Sequence, residues 1–106
     1  MGGSSTEVHM ANDTLALNAA IPSTTAIFTG SSKVNAFCIQ PDCDCMIQFT
    51  KTDGTALSGP IHIPQYEIYS QGCQGDGFLL STSGLKIVVT GNASGNIRGF
   101  FTTHNS

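Results

Sequence analysis

The chain has 106 residues, of which 40% are hydrophobic and only 10% are charged, and its formal net charge at pH 7 is -3. This length supports one modest hydrophobic core, and the hydrophobic content excludes a chain that is disordered throughout. Four Lys and Arg residues against seven Asp and Glu residues leave no basic surface for a run of phosphates, so we expect no nucleic-acid partner. Apolar stretches such as residues 78–80 and 87–89 have three residues and none exceeds four, whereas a membrane helix needs about 20, so we expect no membrane span.

Residues 1–9 lack the basic and apolar regions of a secretory signal, and we interpret them as a tag or a disordered segment ahead of a start at Met10. The segment 10–30 contains a helix-like window at 14–20 that Pro22 ends, and it is predicted to be an N-terminal arm or a first strand. A β-sandwich domain is predicted over residues 31–103, followed by a tail at 104–106. The chain is therefore expected to form one domain with a short extension at each end.

The composition favours short strands joined by tight turns, because the chain has 12 glycines, abundant Ser, Thr and Asn, and no Trp. A strand is predicted at residues 33–40. Alternation along it places Val34, Ala36 and Cys38 on one face and Phe37 and Ile39 on the other. Since both faces are then apolar, we expect both to be at least partly covered, either by a second layer or by another subunit.

Turn residues at 41–44 precede a second strand at 45–50, and the two strands are predicted to form a hairpin. Asp53-Gly54 marks the next reversal, because both residue types suit the positive φ angles of tight turns. Pro60 and Pro64 flank residues 61–63, and 66–69 follows, so this pair is predicted to be an edge strand or a kinked strand. Further strands are predicted at 78–80, 85–90 and 97–103. The pattern predicts an all-β fold, an antiparallel β-sandwich or jelly roll of about seven or eight short strands.

Four cysteines are the most conspicuous group of reactive side chains: Cys38, Cys43, Cys45 and Cys73. A zinc site would combine Cys43, Cys45 and Cys73 with Cys38 or His62, although only half of the usual zinc-knuckle spacing is present. Disulfides, for instance Cys38–Cys45 and Cys43–Cys73, are a second interpretation in an oxidising compartment. Free thiols, with Cys38 and Cys45 as small core residues, are the third. The spacing does not choose among the three, and no metal or cofactor is predicted.

The acidic residues and histidines do not form a recognisable catalytic pattern. Asp42, Asp44 and Asp76 could surround a calcium ion, but the fragment lacks the remaining ligand positions and favours solvated turn acids. His62 is the only histidine outside the predicted tag and tail, and Glu67 is the only glutamate outside the predicted tag. Neither a nucleophile with its base nor a pair of carboxylates follows from these residues, so we expect a protein that is not an enzyme.

Two kinds of binding surface remain. Tyr66 and Tyr69, with the amides of Gln65, Gln71 and Asn92, would form a face that contacts carbohydrate. Tyrosines three residues apart point to opposite faces of a regular strand, which weakens this interpretation. An assembly surface that sister subunits cover is the other kind, made of the apolar residues on the second strand faces: Phe37, Ile39, Met46, Val88 and Phe100.

Three segments in the second half of the chain form a pattern. The first is Asp53-Gly54-Thr55-x-Leu57-x-Gly59-Pro60-Ile61-x-Ile63-Pro64, and after a Gly-rich loop come Gly-Leu-Lys-Ile-Val-Val-Thr at 84–90 and Gly-Asn-Ile-Arg-Gly-Phe at 95–100. This pattern resembles small all-β virion proteins of tailed bacteriophages, and the resemblance covers roughly residues 33–103.

The resemblance implies a capsid decoration (cement) protein located on the virion surface. Such a protein would bind the major capsid protein, act as a homotrimer and stabilise the shell without catalysing a reaction. Residues 11–30 would then be an arm that grips neighbouring capsid subunits, and removal of residues 11–24 is expected to abolish capsid binding and leave the fold intact. The alternative function is a carbohydrate-binding or receptor-binding β-sandwich module associated with a tail or fibre.

Overall fold

The structure, a computed structural model, is described for residues 12–72, 79–91 and 94–104. These residues form β-strands and no helix, so within these ranges no helix is long and apolar enough to cross a membrane. The strands are β1 (Asn12–Ile21), β2 (Ser23–Phe28), β3 (Ser32–Pro41), β4 (Cys45–Thr50), β5 (Ile61–Ile63), β6 (Tyr69–Gln71), β7 (Leu79–Ser81), β8 (Leu85–Thr90) and β9 (Gly95–His104).

The strands form two antiparallel sheets. One sheet has the order β1-β9-β3-β6, with β7 also paired to β3, and the other has the order β2-β8-β4-β5. β6 pairs with residues 37–39 of β3 and β7 pairs with residues 32–34, so the two short strands share one edge position. The predicted all-β antiparallel sandwich is confirmed. The described residues contain nine strands, which occupy eight positions in the two sheets because β6 and β7 share one edge position, in agreement with the predicted seven or eight.

The segment predicted to be an arm or a first strand, residues 10–30, contains the two strands β1 and β2. β1 pairs with β9 without interruption, from Asn12 opposite His104 to Ile21 opposite Gly95. Leu17 and Ile21 are buried in the core, and Pro22, which follows a cis peptide bond, separates β1 from β2. The helix-like window forms a strand because its large aliphatic residues alternate with small or polar ones, which is a period of two. Removal of residues 11–24 would take this strand out of its sheet and two side chains out of the core, so on this structure we expect it to disrupt the fold.

A β-bulge in β3 changes which side chains face the core. The pairing of β3 with β9 shifts register between Val34 and Ala36. As a result Val34, Phe37 and Ile39 are all buried, whereas simple alternation places Val34 on the opposite face from the other two. The predicted placement of Val34 is wrong for that reason, whereas Ala36 and Cys38 are half-buried, in agreement with a second face that is partly covered.

β3 and β4 do not form the predicted hairpin. They belong to different sheets, so residues 42–44 carry the chain from one layer of the sandwich to the other. The chain changes direction at these residues, as their types predict, but it does so between the two layers and not within one sheet. β5 ends its sheet and β6 lies at the edge of the other, as the flanking prolines predicted.

The core lies between the two sheets and contains a cluster of aromatic rings. Phe37 from one sheet and Phe49 from the other have ring centroids 5.9 Å apart. Phe101 packs against both, at 5.2 Å and 6.1 Å. Each ring is almost completely buried, so these side chains join the two layers.

Candidate functional site

The residues predicted to form an assembly surface lie in three separate places. Phe37 and Ile39 are buried in the core of this chain and are not available to another subunit. Met46 and Val88 lie on the outer face of the β2-β8-β4-β5 sheet, next to one another along the diagonal of β4 and β8. Phe100, which is 41% exposed, lies on the outer face of the other sheet. The five residues therefore do not make one patch.

Cys38 and Cys45 are thiols and do not form the disulfide considered from the sequence. Cys38 is half-buried on the outer side of β3, whereas Cys45 points into the core from the opposite sheet and is 2% exposed. A sheet thus lies between the two side chains. Cys73, and with it the Cys43–Cys73 pair, lies outside the described residues.

The zinc site is not assembled from the residues that the structure describes. In these ranges, no three or more His, Cys, Asp or Glu side chains are grouped so that they could hold a metal ion. His62 is exposed on β5, opposite Met46. Burial, followed by the nearby charges of Cys43 and Asp44, raises the pKa of the Cys45 thiol above its ordinary value. Cys45 is therefore a protonated core residue at neutral pH, as in the free-thiol interpretation.

The two aspartates of the 42–44 crossing accept hydrogen bonds from backbone groups. Asn96 donates its backbone N–H to Asp42 Oδ1 at 2.7 Å, and Arg98 Nη1 lies 3.8 Å from Asp42 Oδ2. Gln65 donates its backbone N–H to Asp44 Oδ1 at 2.7 Å. Asp42 thus holds the start of β9 and Asp44 holds the segment after β5, whereas Asp76, the third residue of the considered calcium site, lies outside the described residues.

Residues 64–68, called the 64–68 loop below, connect β5 to β6 and are held against the end of β3. Tyr66 donates its backbone N–H to the Pro41 carbonyl at 2.9 Å, and Gln40 Nε2 donates to the Tyr66 carbonyl at 2.8 Å. Glu67 donates its N–H to the Pro64 carbonyl at 3.1 Å within the loop. Together with the bond from Gln65 to Asp44, these contacts give this exposed loop a defined backbone.

The loop exposes two large apolar side chains. Tyr66 is 64% exposed and Ile68 is 63% exposed, more than any other large hydrophobic residue among those described. Tyr66 also has a φ of 65°, and it is the one residue other than glycine with a positive φ in the described ranges. A bulky residue in this region is strained, and such strain persists where surrounding contacts hold the backbone.

An open groove of about 160 Å³ lies beside the loop, between the edge strands β5 and β6. Its volume is below the roughly 300–1,000 Å³ of typical small-molecule sites and is comparable to that of a single apolar side chain or small ring. The lining residues are Ile61, His62, Ile63, Pro64, Glu67, Ile68 and Tyr69.

The residues of the predicted carbohydrate face are only partly brought together. The ring of Tyr69 packs edge-on against Phe37, with centroids 5.1 Å apart, and is half-buried, so Tyr66 is the tyrosine whose ring is open to solvent. Gln65 donates its side-chain amide to the Asp42 carbonyl at 3.1 Å, and Gln71 is exposed on β6. Asn92 lies outside the described residues. Sequence reasoning did not select Ile68, whose exposure follows from its place between two edge strands.

Comparison with known proteins gives no match: no family model, no curated protein and no solved structure is significantly similar to this chain.

Proposed function

We propose that this chain is a non-enzymatic virion structural protein, a decoration (cement) protein that binds the outer surface of a tailed-bacteriophage capsid and stabilises it. The observation that carries the proposal is the 64–68 loop, where Tyr66 and Ile68 are exposed on a backbone that hydrogen bonds hold in place. Large apolar and aromatic side chains of this kind supply most of the binding energy in protein interfaces.

The fixed backbone makes the loop suited to binding a protein. A loop that is already ordered loses little conformational freedom on association, so more of its contact energy appears as affinity. The bonds to Pro41, Gln40 and Asp44 order the loop before any partner arrives. A rigid apolar projection of two side chains suits a shallow depression on another protein.

The fold class is compatible with this role. Eight strand positions in two four-stranded layers, in the orders β1-β9-β3-β6/β7 and β2-β8-β4-β5, are compatible with a jelly roll. Jelly rolls occur in viral capsid proteins and in lectins, so the fold is compatible with a binding role and does not choose the ligand. The sequence resemblance to phage virion proteins favours the capsid.

The proposed mechanism is multivalent attachment. A contact built on two exposed side chains is weak by itself, and several linked copies raise the overall affinity through effective concentration. The major capsid protein is the proposed partner and the virion surface is the proposed location. The homotrimer implied by the resemblance stays a prediction.

Co-sedimentation with undecorated capsid shells of the encoding phage tests the proposal. The full chain is expected to pellet with the shells, and the variant Tyr66→Ser/Ile68→Ser is expected to bind at least about tenfold more weakly. A matched control is Met46→Ser/Phe100→Ser, which removes the other two exposed large hydrophobics from the outer sheet faces. Binding by the control and not by the loop variant supports the proposal. A chain that stays in the supernatant contradicts it.

A carbohydrate-binding or receptor-binding module is the alternative function, and the open ring of Tyr66 beside the groove is the observation that favours it. A glycan array separates the two functions. Selective binding to a sugar, lost in Tyr66→Ser, supports the alternative, whereas a cement protein shows no sugar preference.

A further inference from the structure

The sandwich has four unpaired strand edges among the described residues, and they differ in how they are protected. These edges belong to β1, to β2, to β5, and to the position shared by β6 and β7. An unpaired edge presents backbone N–H and C=O groups that can pair with another chain, so proteins shorten, bend or charge their edges.

Three of the four edges carry such a protection. β5 has three residues and is flanked by Pro60 and Pro64. β6 and β7 have three residues each and are separated in sequence, so their edge is discontinuous. β2 pairs with β8 through a register shift between Ala26 and Phe28, which bends the strand.

β1 is the least protected of the four, because Pro22 lies beyond its end and the strand is neither short nor bent. It has ten residues, its pairing with β9 has no bulge, and it contains no Pro, Lys or Arg. Its one charged residue is Asp13, at the second position of the strand. Its outward side chains are small and uncharged, and Thr14, Ala16, Asn18 and Ala20 are all exposed.

We propose that β1 pairs antiparallel with β1 of a second copy of this chain about a two-fold axis, which joins the two β1-β9-β3-β6/β7 sheets into one. Such a contact needs no unidentified partner, since a two-fold interface uses the same surface of both subunits. This inference does not depend on the proposed binding to a capsid.

The register follows from the faces of β1. Residues opposite one another in an antiparallel pair point to the same face, so an inward residue must meet an inward residue. The two-fold axis therefore passes through a residue position and not between two positions. An axis at Leu17 pairs Leu15 with Ala19, and these are the two core-side residues of β1 that the chain leaves half-buried.

Charge also favours the axis at Leu17 over an axis at Ala16. In that register Asp13 meets Ile21 of the second copy in the outermost pair, and the two Asp13 carboxylates lie at opposite ends of the contact. On the outer face, Ala16 meets Asn18 and Thr14 meets Ala20, so no like charges face one another. An axis at Ala16 moves Asp13 one pair further into the contact, opposite Ala19.

Native mass spectrometry of the full chain over a concentration series tests the pairing. The expected result is a dimer, or another even-numbered assembly such as a hexamer in which two-fold and three-fold contacts coexist. Ala16→Lys/Asn18→Lys sets Lys against Lys twice across the axis and is expected to weaken association at least about tenfold. Both positions are exposed, so circular dichroism should show an unchanged fold.

Two further variants make the test specific. Ser70→Lys/Thr90→Lys adds the same charge at exposed positions on β6 and β8, and it should associate like the wild type. Ala16→Lys/Asn18→Glu sets Lys against Glu in the proposed register and should restore association. A wild-type chain that is only a monomer or only a trimer overturns the proposal. Undiminished association of the double-lysine variant overturns it too, and a failure of the Lys/Glu variant to restore association overturns the axis at Leu17.

Discussion

The two open sides of the sandwich differ in how they meet solvent. On one side, β1 offers ten residues of uninterrupted edge with small, uncharged outward side chains. On the other side, the edge strands β5 and β6 have three residues each, and the 64–68 loop between them exposes Tyr66 and Ile68. One side is suited to pairing through the backbone, and the other to contact through side chains.

The difference shows that a strand edge and an exposed loop are suited to binding through different groups, the backbone in one case and the side chains in the other. Backbone pairing is tolerant of sequence and sensitive to strand length, bulges and charge. Side-chain contact depends on a few large residues held on an ordered backbone. A molecule with both can associate with itself on one side and with a different partner on the other.

Deletion of residues 12–22 should lower the stability of the fold more than any other change proposed here, because it removes the whole of β1 from its sheet. Leu17 and Ile21 leave the core, β9 loses one of its two neighbours, and a large part of the stability of a domain this small depends on them. We expect loss of the cooperative unfolding transition, measured by circular dichroism in urea. A deletion variant that keeps this transition would show that β1 is the dispensable arm first predicted from the sequence.

Substitution of Asp42 and Asp44 tests which hydrogen bonds stabilise the side of the sandwich that carries the 64–68 loop. Asp42→Ala should lower the free energy of unfolding by about 1–3 kcal/mol, since it leaves the half-buried Asn96 N–H without its acceptor and Arg98 without its ion pair. Asp44→Ala should cost about 1 kcal/mol, because water can replace its exposed bond to Gln65. Urea titration of both variants measures the two losses of unfolding free energy, and we expect the loss in Asp42→Ala to be the larger. Equal losses in the two variants would contradict the conclusion that the half-buried bond of Asp42 stabilises the fold more than the exposed bond of Asp44.

Substitution of Tyr66 separates stability from binding. Tyr66→Gly relieves the positive φ of 65° and should change the free energy of unfolding by less than about 1 kcal/mol, in the stabilising direction. Tyr66→Ala keeps the strained backbone and should be the less stable of the two. Thermal unfolding gives the comparison, and both variants should bind capsid shells poorly. If Tyr66→Ala is the more stable protein, the backbone at this position is not strained.

The pH dependence of Cys45 is the smallest expected effect. Because burial raises the pKa of this thiol in the folded state, its contribution to stability is complete below the unfolded-state pKa and is lost as the pH rises through the folded-state pKa. Above about pH 9 the unfolding midpoint should therefore fall less steeply in Cys45→Ala than in the wild type. A Cys45→Ala variant whose midpoint falls as steeply as that of the wild type contradicts this assignment.

The strands from residue 32 onward could be predicted from the sequence to within a few residues. Alternating apolar residues bounded by Gly, Pro and Asp marked β3, β4, β8 and β9, and the prolines marked β5 as an edge. β1 was ambiguous because alanines and leucines favour a helix locally, and pairing with β9, more than 70 residues later, decides the matter.

The residues of the candidate site were less predictable because their surroundings depend on contacts distant in sequence. One bulge in β3 turned Phe37 and Ile39 from an expected outer surface into the core. Tyr66 was selected as an exposed aromatic residue, but its fixed backbone depends on Gln40 and Pro41, which lie some 25 residues earlier. Which strands form the edges depends on the order of the strands in each sheet, and the sequence pattern alone does not determine that order.

Hydrogen exchange of the backbone amides, followed by mass spectrometry over a concentration series, tests the contrast between the edges most directly. The account predicts that amides of β1 exchange more slowly as the protein concentration rises, while amides of the short β5 edge exchange at a constant rate. Exchange in β1 that does not change with concentration would contradict the claim that this unprotected edge pairs with a second copy.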